Sequence, residues 1–302
     1  TKMKITFSGY NKPQTLLNFP ALVIFSESLN FFRYSDFFSP DGGDLRFMNS
    51  NETVYLNYEI EGWNPAGASF VWVQVPELVD SNSYIWAYWR SPSETNPPPC
   101  TTNGSTWDSR FSGVWHFPSA GAFADSTTNN NDGTNGGTAE TNGIITKARY
   151  FNGTNNTITL TTSLTPVLGV GGATFSFWIK TDATIDGGLS YNCSAFFGDE
   201  IGGNGDSFWG VLDAGKVGMK AGDGAAIMSN SAITNDSWRY VALTRNASDG
   251  FVQVFVDGTL DSSGWSQAGN ITGNALTILG RNQDGATNGG HVVGIFDEVR
   301  AM

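Results

Sequence analysis

The stretch "WRYVALTRNASDGFVQVFVDGTL", residues 238–260, decides the fold. It carries two strand-like apolar runs, 238–245 and 251–260, and the pair Asp257-Gly258 interrupts the second. Asp-Gly between strand-like residues is the strongest short hairpin signal, because a type I′ turn needs positive φ at both central positions. Similar short runs surround it: "GVWHF" (113–117), "KARYF" (147–151), "TITL" (157–160), "TFSFWIK" (174–180), "SFWGVLD" (207–213), "KVGMKAG" (216–222), "ALTILG" (275–280) and "HVVGIFDEVR" (291–300). About ten such strands separated by turns predict a sandwich of two antiparallel sheets.

An earlier block repeats the pattern. Its runs are "ALVIF" (21–25), "VYLNYEI" (54–60), "SFVWVQV" (69–75) and "SYIWAYW" (83–89). In the third, Val71, Val73 and Val75 share one face, and Phe70, Trp72 and Gln74 the other. Residues 27–34, "ESLNFFRY", are expected to form one short helix. The segment "SPSETNPPPC" (91–100) carries three consecutive prolines that cannot donate to a sheet, so it reads as a linker. The predicted domains are residues 1–99 and 100–302, and the class is all-β.

Composition narrows the function. Lys plus Arg number 16 against 28 for Asp plus Glu, a net charge of −12. Nucleic acid and anionic membrane surfaces would repel such a chain. No apolar run approaches the roughly 18 residues of a membrane span. The start "TKMKITF" lacks a signal peptide and the end "DEVRAM" follows a strand directly, as in a mature or excised segment. The two cysteines, Cys100 and Cys193, cannot make a disulfide framework or a zinc site, and a single bridge between them stays open.

Catalytic patterns are missing. Of the two histidines, His116 lies in a strand near a sheet surface, and His291 follows two glycines at a solvated strand start. There is no Gly-x-Ser-x-Gly elbow, phosphate loop or H-E-x-x-H helix. Asp199-Glu200 and Asp297-Glu298 are adjacent acids, and strand neighbours point to opposite faces, so neither pair can flank one substrate. The chain is not expected to be an enzyme.

Residues 113–300 carry six motifs in order that resemble the laminin-G-like, concanavalin A-type jelly rolls. They are "GVWHF", "ADSTTNNNDGT", "ARYFNGTNNTITL", "TFSFWIK", "DSWRYVALTRNASDGFVQVFVDG" and "GIFDEVR". The first block resembles a small β-sandwich family of poorly defined function that often precedes such jelly rolls. That similarity rests on "NFPALVIF", "DGGDLRFMNSN" and "YEIEGWNPAGASFVWVQVP", while the family's closing Y-Y-G-N-P is here "AYWRSP". The resemblance implies an N-terminal β-sandwich followed by a jelly-roll sandwich.

The resemblance also implies a metal site. In similar proteins the Asx-rich loop lies beside the terminal D-E-V/I-R strand, which would bring Asp125 and Asn129 near Asp297. Calcium takes six to eight oxygens, and an Asn/Asp/Gly loop supplies them. Thr128 and Asn130 stand where the pattern has glycines. Asx turns, or a pairing of Asp297 with Arg300, are the alternative reading.

Sugar binding needs exposed rings flanked by amides and hydroxyls. Trp115 and Trp238 fall in core motifs. Trp178 lies opposite the apolar face of Phe175, Phe177 and Ile179, while Trp209 and Trp265 sit among Gly, Ser, Asp and Gln as at a rim. Trp63 reads as turn-like, and Trp72, Trp86 and Trp89 as packing residues. The expected function is a non-catalytic, secreted or cell-surface module for carbohydrate binding and adhesion. Trp178, Trp209 and Trp265 would contact a polysaccharide or glycan, and structural calcium would sit at Asp125, Asn129 and Asp297. The alternative is a subunit or spacer of a bacterial surface layer, adhesin or filament, contacting copies of itself or other surface proteins.

Overall fold

The computed structural model describes the chain except residues 118–122, 185–187, 190–192, 201–204, 274 and 285–289. It divides into two compact units, Thr1–Ser109 with Ser126–Thr128, and Arg110–Asp125 with Asn129–Met302. The division falls beyond residue 100 because the proline-rich segment belongs to the first unit. Prolines lack N–H groups, but the carbonyls around them still accept. The Arg46 guanidinium donates to the carbonyls of Glu94 and Asn96 at 3.3 and 2.8 Å, and Cys100 packs against the core.

The first unit has strands β1 (Lys2–Thr6), β2 (Leu16–Phe25), β3 (Arg46–Met48), β4 (Tyr58–Gly62), β5 (Ser69–Leu78) and β6 (Tyr84–Tyr88). They form two three-stranded antiparallel sheets, ordered β1-β6-β3 and β2-β5-β4. Val71, Val73 and Val75 enter the core with Phe25, Phe47 and Tyr58, as the alternation of β5 predicts. Residues 27–34 make turns instead of the expected helix, followed by a 3-10 turn at Tyr34–Asp36. Phe31 sits at φ 65°, which a right-handed helix excludes, and the next residue, Phe32, drops into the core.

The second unit contains β7 (Gly113–Trp115), β8 (Gly133–Gly136), β9 (Ala139–Asn142), β10 (Lys147–Asn152), β11 (Thr157–Leu160) and β12 (Gly172–Lys180). It continues with β13 (Ser194–Glu200), β14 (Ser207–Asp213), β15 (Lys216–Ala221), β16 (Ile227–Met228) and β17 (Arg239–Asn246). The last are β18 (Phe251–Val256), β19 (Thr259–Trp265), β20 (Ile278–Leu279), β21 (Arg281–Asp284) and β22 (Val293–Ala301). One sheet runs β19-β18-β17-β12-β22-β10-β9, with β7 also on β22. Facing it are β16-β15-β14-β13-β21 and β20-β11-β8.

The core between these layers joins Phe175, Phe177, Leu243, Val254 and Phe296 to Phe196, Phe197, Trp209 and Met219. Phe196 and Phe296 stack at 3.9 Å. The opening hairpin forms as predicted, with Asp257 at φ 50° and Gly258 at φ 76° between β18 and β19. Both cysteines are free, and burial pushes the Cys193 thiol up to about 12. Among the described residues no helix is long and apolar enough to cross a membrane.

Candidate functional site

Strands β12, β17, β18 and β19 lie side by side, and their register sets the outer face of the large sheet. One cross-strand row is Gly172–Asn246–Phe251–Trp265, and the next is Thr174–Thr244–Gln253–Ser263. Alternation puts Phe175, Leu243 and Val254 in the core, which turns these two rows outward. Trp265 is 67% exposed, and its ring lies 5.1 Å from that of Phe251. The result is an open aromatic surface bordered by the hydroxyls of Thr244 and Ser263 and the amide of Gln253.

Trp178 is on the same face, half-buried, opposite Tyr240 with the rings 5.4 Å apart. Six residues of β12 separate it from the row of Trp265, roughly 20 Å at the strand rise. The two tryptophans therefore anchor separate ring pairs.

Trp209 does not join them. It is fully buried in the core of the second unit, so the expected rim position is corrected. "GDSFWG" leads into strand β14, where a bulge between Trp209 and Val211 resets the alternation. Gly210 makes the bulge at φ 71°, a conformation suited to glycine, and a Cβ there would lie 2.9 Å from Phe196.

The Asx-rich loop is ordered by its own hydrogen bonds. The Asp125 carboxylate accepts from the N–H groups of Val114 and Asn131 at 2.9 and 3.0 Å, and its own N–H donates to Asp132 at 2.9 Å. Asn131 closes the loop against Thr162 through both ends of its amide. Asn129 donates to the carbonyls of Phe111 and Ser112 at 3.2 and 3.3 Å. Asn130, in place of a glycine, takes φ 52°, which asparagine tolerates. The loop borders a cavity of about 260 Å³ with Ser112, Thr162 and Ser163.

Asp297 serves a different segment. One of its oxygens accepts from the N–H groups of Ile144 and Ile145 at 2.9 and 3.3 Å, and the other from that of Glu298 at 2.9 Å. Among the described residues of this unit, no three His, Cys, Asp or Glu side chains bring ligand atoms within 4.8 Å of one another. In these hydrogen bonds Asp125 and Asn129 hold the Asx-rich loop, and Asp297 holds the backbone at Ile144 and Ile145.

His116 is buried, and its Nδ1 lies 2.7 Å from Glu298, which also accepts from Arg300 at 2.7 Å. Phe296 and Val299 both face the core, leaving two residues between them where alternation allows one. Glu298, at φ 51°, is the extra residue of a bulge opposite β12. The bulge turns Glu298 to the side away from the core, with Asp297 and Arg300, so the expected separation of Asp297 and Glu298 onto opposite faces does not hold. Both are buried and committed, Asp297 to backbone and Glu298 to His116 and Arg300. The aromatic partners Phe251 and Tyr240 escaped sequence reading, because only the register places them beside Trp265 and Trp178.

Residues 152–302 match the family described as the concanavalin A-like lectin/glucanases superfamily, and residues 41–109 match a domain of unknown function, DUF2341. No curated protein matches the chain. Domain 4 of an extracellular arabinanase from Geobacillus stearothermophilus, solved with arabinotriose, is 20% identical, with a TM-score of 0.48 over 64% of this chain and 91% of that one. A botulinum neurotoxin type C structure, whose cell entry depends on two ganglioside molecules, is 12% identical, with a TM-score of 0.47 over 64% of this chain and 47% of that one. A heptameric pentraxin from Limulus polyphemus is 15% identical, with a TM-score of 0.38 over 50% of this chain and 73% of that one.

Proposed function

We propose that this chain, which belongs to the concanavalin A-like lectin/glucanases superfamily, is a non-catalytic carbohydrate-binding module acting outside the cell or at its surface. The observation that carries this reading is the outer face of β12-β17-β18-β19. There the exposed ring of Trp265 lies against Phe251, beside Thr244, Gln253 and Ser263. A sugar presents C–H groups that stack on ring faces and hydroxyls that need donors and acceptors, and this face offers both. The committed carboxylates of Asp297 and Glu298 favour binding over hydrolysis, which requires an acid pair open to substrate.

A glycan array of the full chain, followed by calorimetry on the best neutral polysaccharide, tests the reading. Trp265→Ala is expected to weaken binding about tenfold, the loss of roughly 1.4 kcal/mol of stacking. If no neutral polysaccharide binds, or if Trp265→Ala binds like the parent, the reading falls.

One observation favours assembly as a second reading. Strand β2 is a sheet edge in the first unit and exposes Leu17, Phe19 and Ile24. A long apolar edge of this kind templates pairing with another chain. Sedimentation across a wide concentration range checks it: a strictly monomeric protein would remove it.

A further inference from the structure

We infer that the first unit carries its own polysaccharide-binding groove, along the outer face of β6 and into the cavities beside it. Ile85 and Ala87 of β6 point into the core, which turns Tyr84, Trp86 and Tyr88 outward in a single row. Tyr84 and Trp86 meet edge to face with centroids 6.1 Å apart, and the Trp86 indole N–H donates to the Ser50 carbonyl at 3.2 Å. None of these three rings is needed to fill the core. The row leads into a cavity of about 410 Å³ whose lining includes Tyr88, Met48, Tyr55 and Arg90. A second cavity of about 220 Å³ shares Tyr55, Arg46 and Glu94 with the first and extends to Cys100. Tyr55, 61% exposed, stands between the two.

The chemistry of this groove selects its occupant. Strand β6 is paired on both sides, by β1 and β3, so its backbone has no free edge on which a peptide strand could add. Recognition must come from ring faces and from the charged groups that border them. Lys2 lies 4.3 Å from the centre of the Trp86 ring and forms a 2.8 Å ion pair with Glu52, which also accepts from the Tyr88 hydroxyl. Lys4 lies 3.8 Å over Tyr84. A row of outward rings with mobile lysines over them and carboxylate and hydroxyl groups beside them fits successive sugars of a linear polysaccharide, which would displace the lysines to the rim. Lys4 would favour a uronate in the chain, and neutral and acidic polymers are separable by test.

The experiment uses the full chain with the jelly-roll face disabled by Trp265→Ala. Calorimetry is run against β-1,4-linked glucose and xylose hexasaccharides, an α-1,5-linked arabinose hexasaccharide and polygalacturonate. At least one probe is expected to bind, and adding Trp86→Ala or Tyr55→Ala should weaken it about tenfold with unchanged circular dichroism. Preference for polygalacturonate that disappears in Lys4→Ala assigns the acidic class, and equal binding in Lys4→Ala assigns the neutral one. If Trp265→Ala alone abolishes all binding, the groove is refuted while the jelly-roll reading stands. If Trp86→Ala leaves affinity intact but changes the sedimentation coefficient, the row is a protein contact and the inference is wrong.

Discussion

Strands β6 and β12 alternate in the same way but sort opposite kinds of side chain. In β12 the rings of Phe175 and Phe177 face the core, with Ile179 beside them, while Thr174 and Ser176 face out together with a single ring, that of Trp178. In β6 the small or aliphatic Ile85 and Ala87 face the core, and Tyr84, Trp86 and Tyr88 face out. The second unit uses its aromatics to fill the space between two broad layers. The first closes its core behind β6 with smaller residues, and its outward rings remain available for contact. Aromatic content alone therefore does not mark a binding face; the side of the strand does.

The sharpest way to break this contrast is to truncate one ring of each kind. Phe177 is fully buried against Phe175, Phe196 and Phe296, so Phe177→Ala leaves a cavity as well as losing transfer energy. The expected cost is about 3–5 kcal/mol, read from denaturant unfolding. A cost near 1 kcal/mol would mean that the core collapses around the gap and the packing account is wrong.

The core side of this contrast was legible in the sequence. Period-2 runs and the Asp257-Gly258 turn fixed the strands, and the ordered motifs fixed the jelly roll. What was not legible came from bulges and from distant partners. A bulge at Gly210 follows the buried Trp209, and one at Glu298 puts its carboxylate on the same side as that of Asp297. Strict alternation cannot foresee either, because a bulge shifts every later side chain by one face. The candidate site was half legible: the polar neighbours of Trp265 point to an exposed ring, while Phe251 lies beside it only through the pairing of β18 with β19. From the sequence Trp86 reads as a packing residue, because a lone strand does not reveal which side has a second layer.

Buried carboxylates extend the comparison to smaller effects. Asp125→Ala removes the acceptor for two backbone N–H groups, at an expected cost of about 1–3 kcal/mol in thermal or denaturant unfolding. Because those bonds already close the loop, a chelator should leave the melting temperature of the parent unchanged. A chelator-induced fall would assign a structural calcium ion to Asp125, Asn129 and Asp297.

Glu298 and Glu52 set a buried acid against an exposed one. Burial alone would raise the Glu298 carboxyl, but His116 and then Arg300 outweigh it and hold the group below the usual glutamate value. A depressed acid contributes stability above its unfolded pKa, about 4.3, and loses it as pH falls through the lower folded value. Glu298→Gln should therefore flatten the loss of stability in acid. Glu52, bonded to Lys2 and Tyr88 at the surface, is also held low, by Lys2 first. Solvent screens that pair, so Glu52→Gln should leave the acid limb in place. Equal effects of the two substitutions would erase the distinction between the buried and the exposed acid.

The smallest stability effect is the one that sharpens the contrast most. Trp86→Ala removes the largest side chain of β6, yet the ring lies outside the core and its neighbours Lys2 and Lys4 are themselves at the surface. The expected change in unfolding free energy is about 1 kcal/mol, for the edge contact with Tyr84 and the hydrogen bond to Ser50, well below that of a core ring. A loss comparable to that of Phe177→Ala would show that β6 buries its tryptophan in solution, leaving no open ring row for a ligand. A small loss of stability combined with a tenfold loss of polysaccharide affinity would separate folding from recognition at a single residue. Only an outward-facing ring that the core does not need can give that combination.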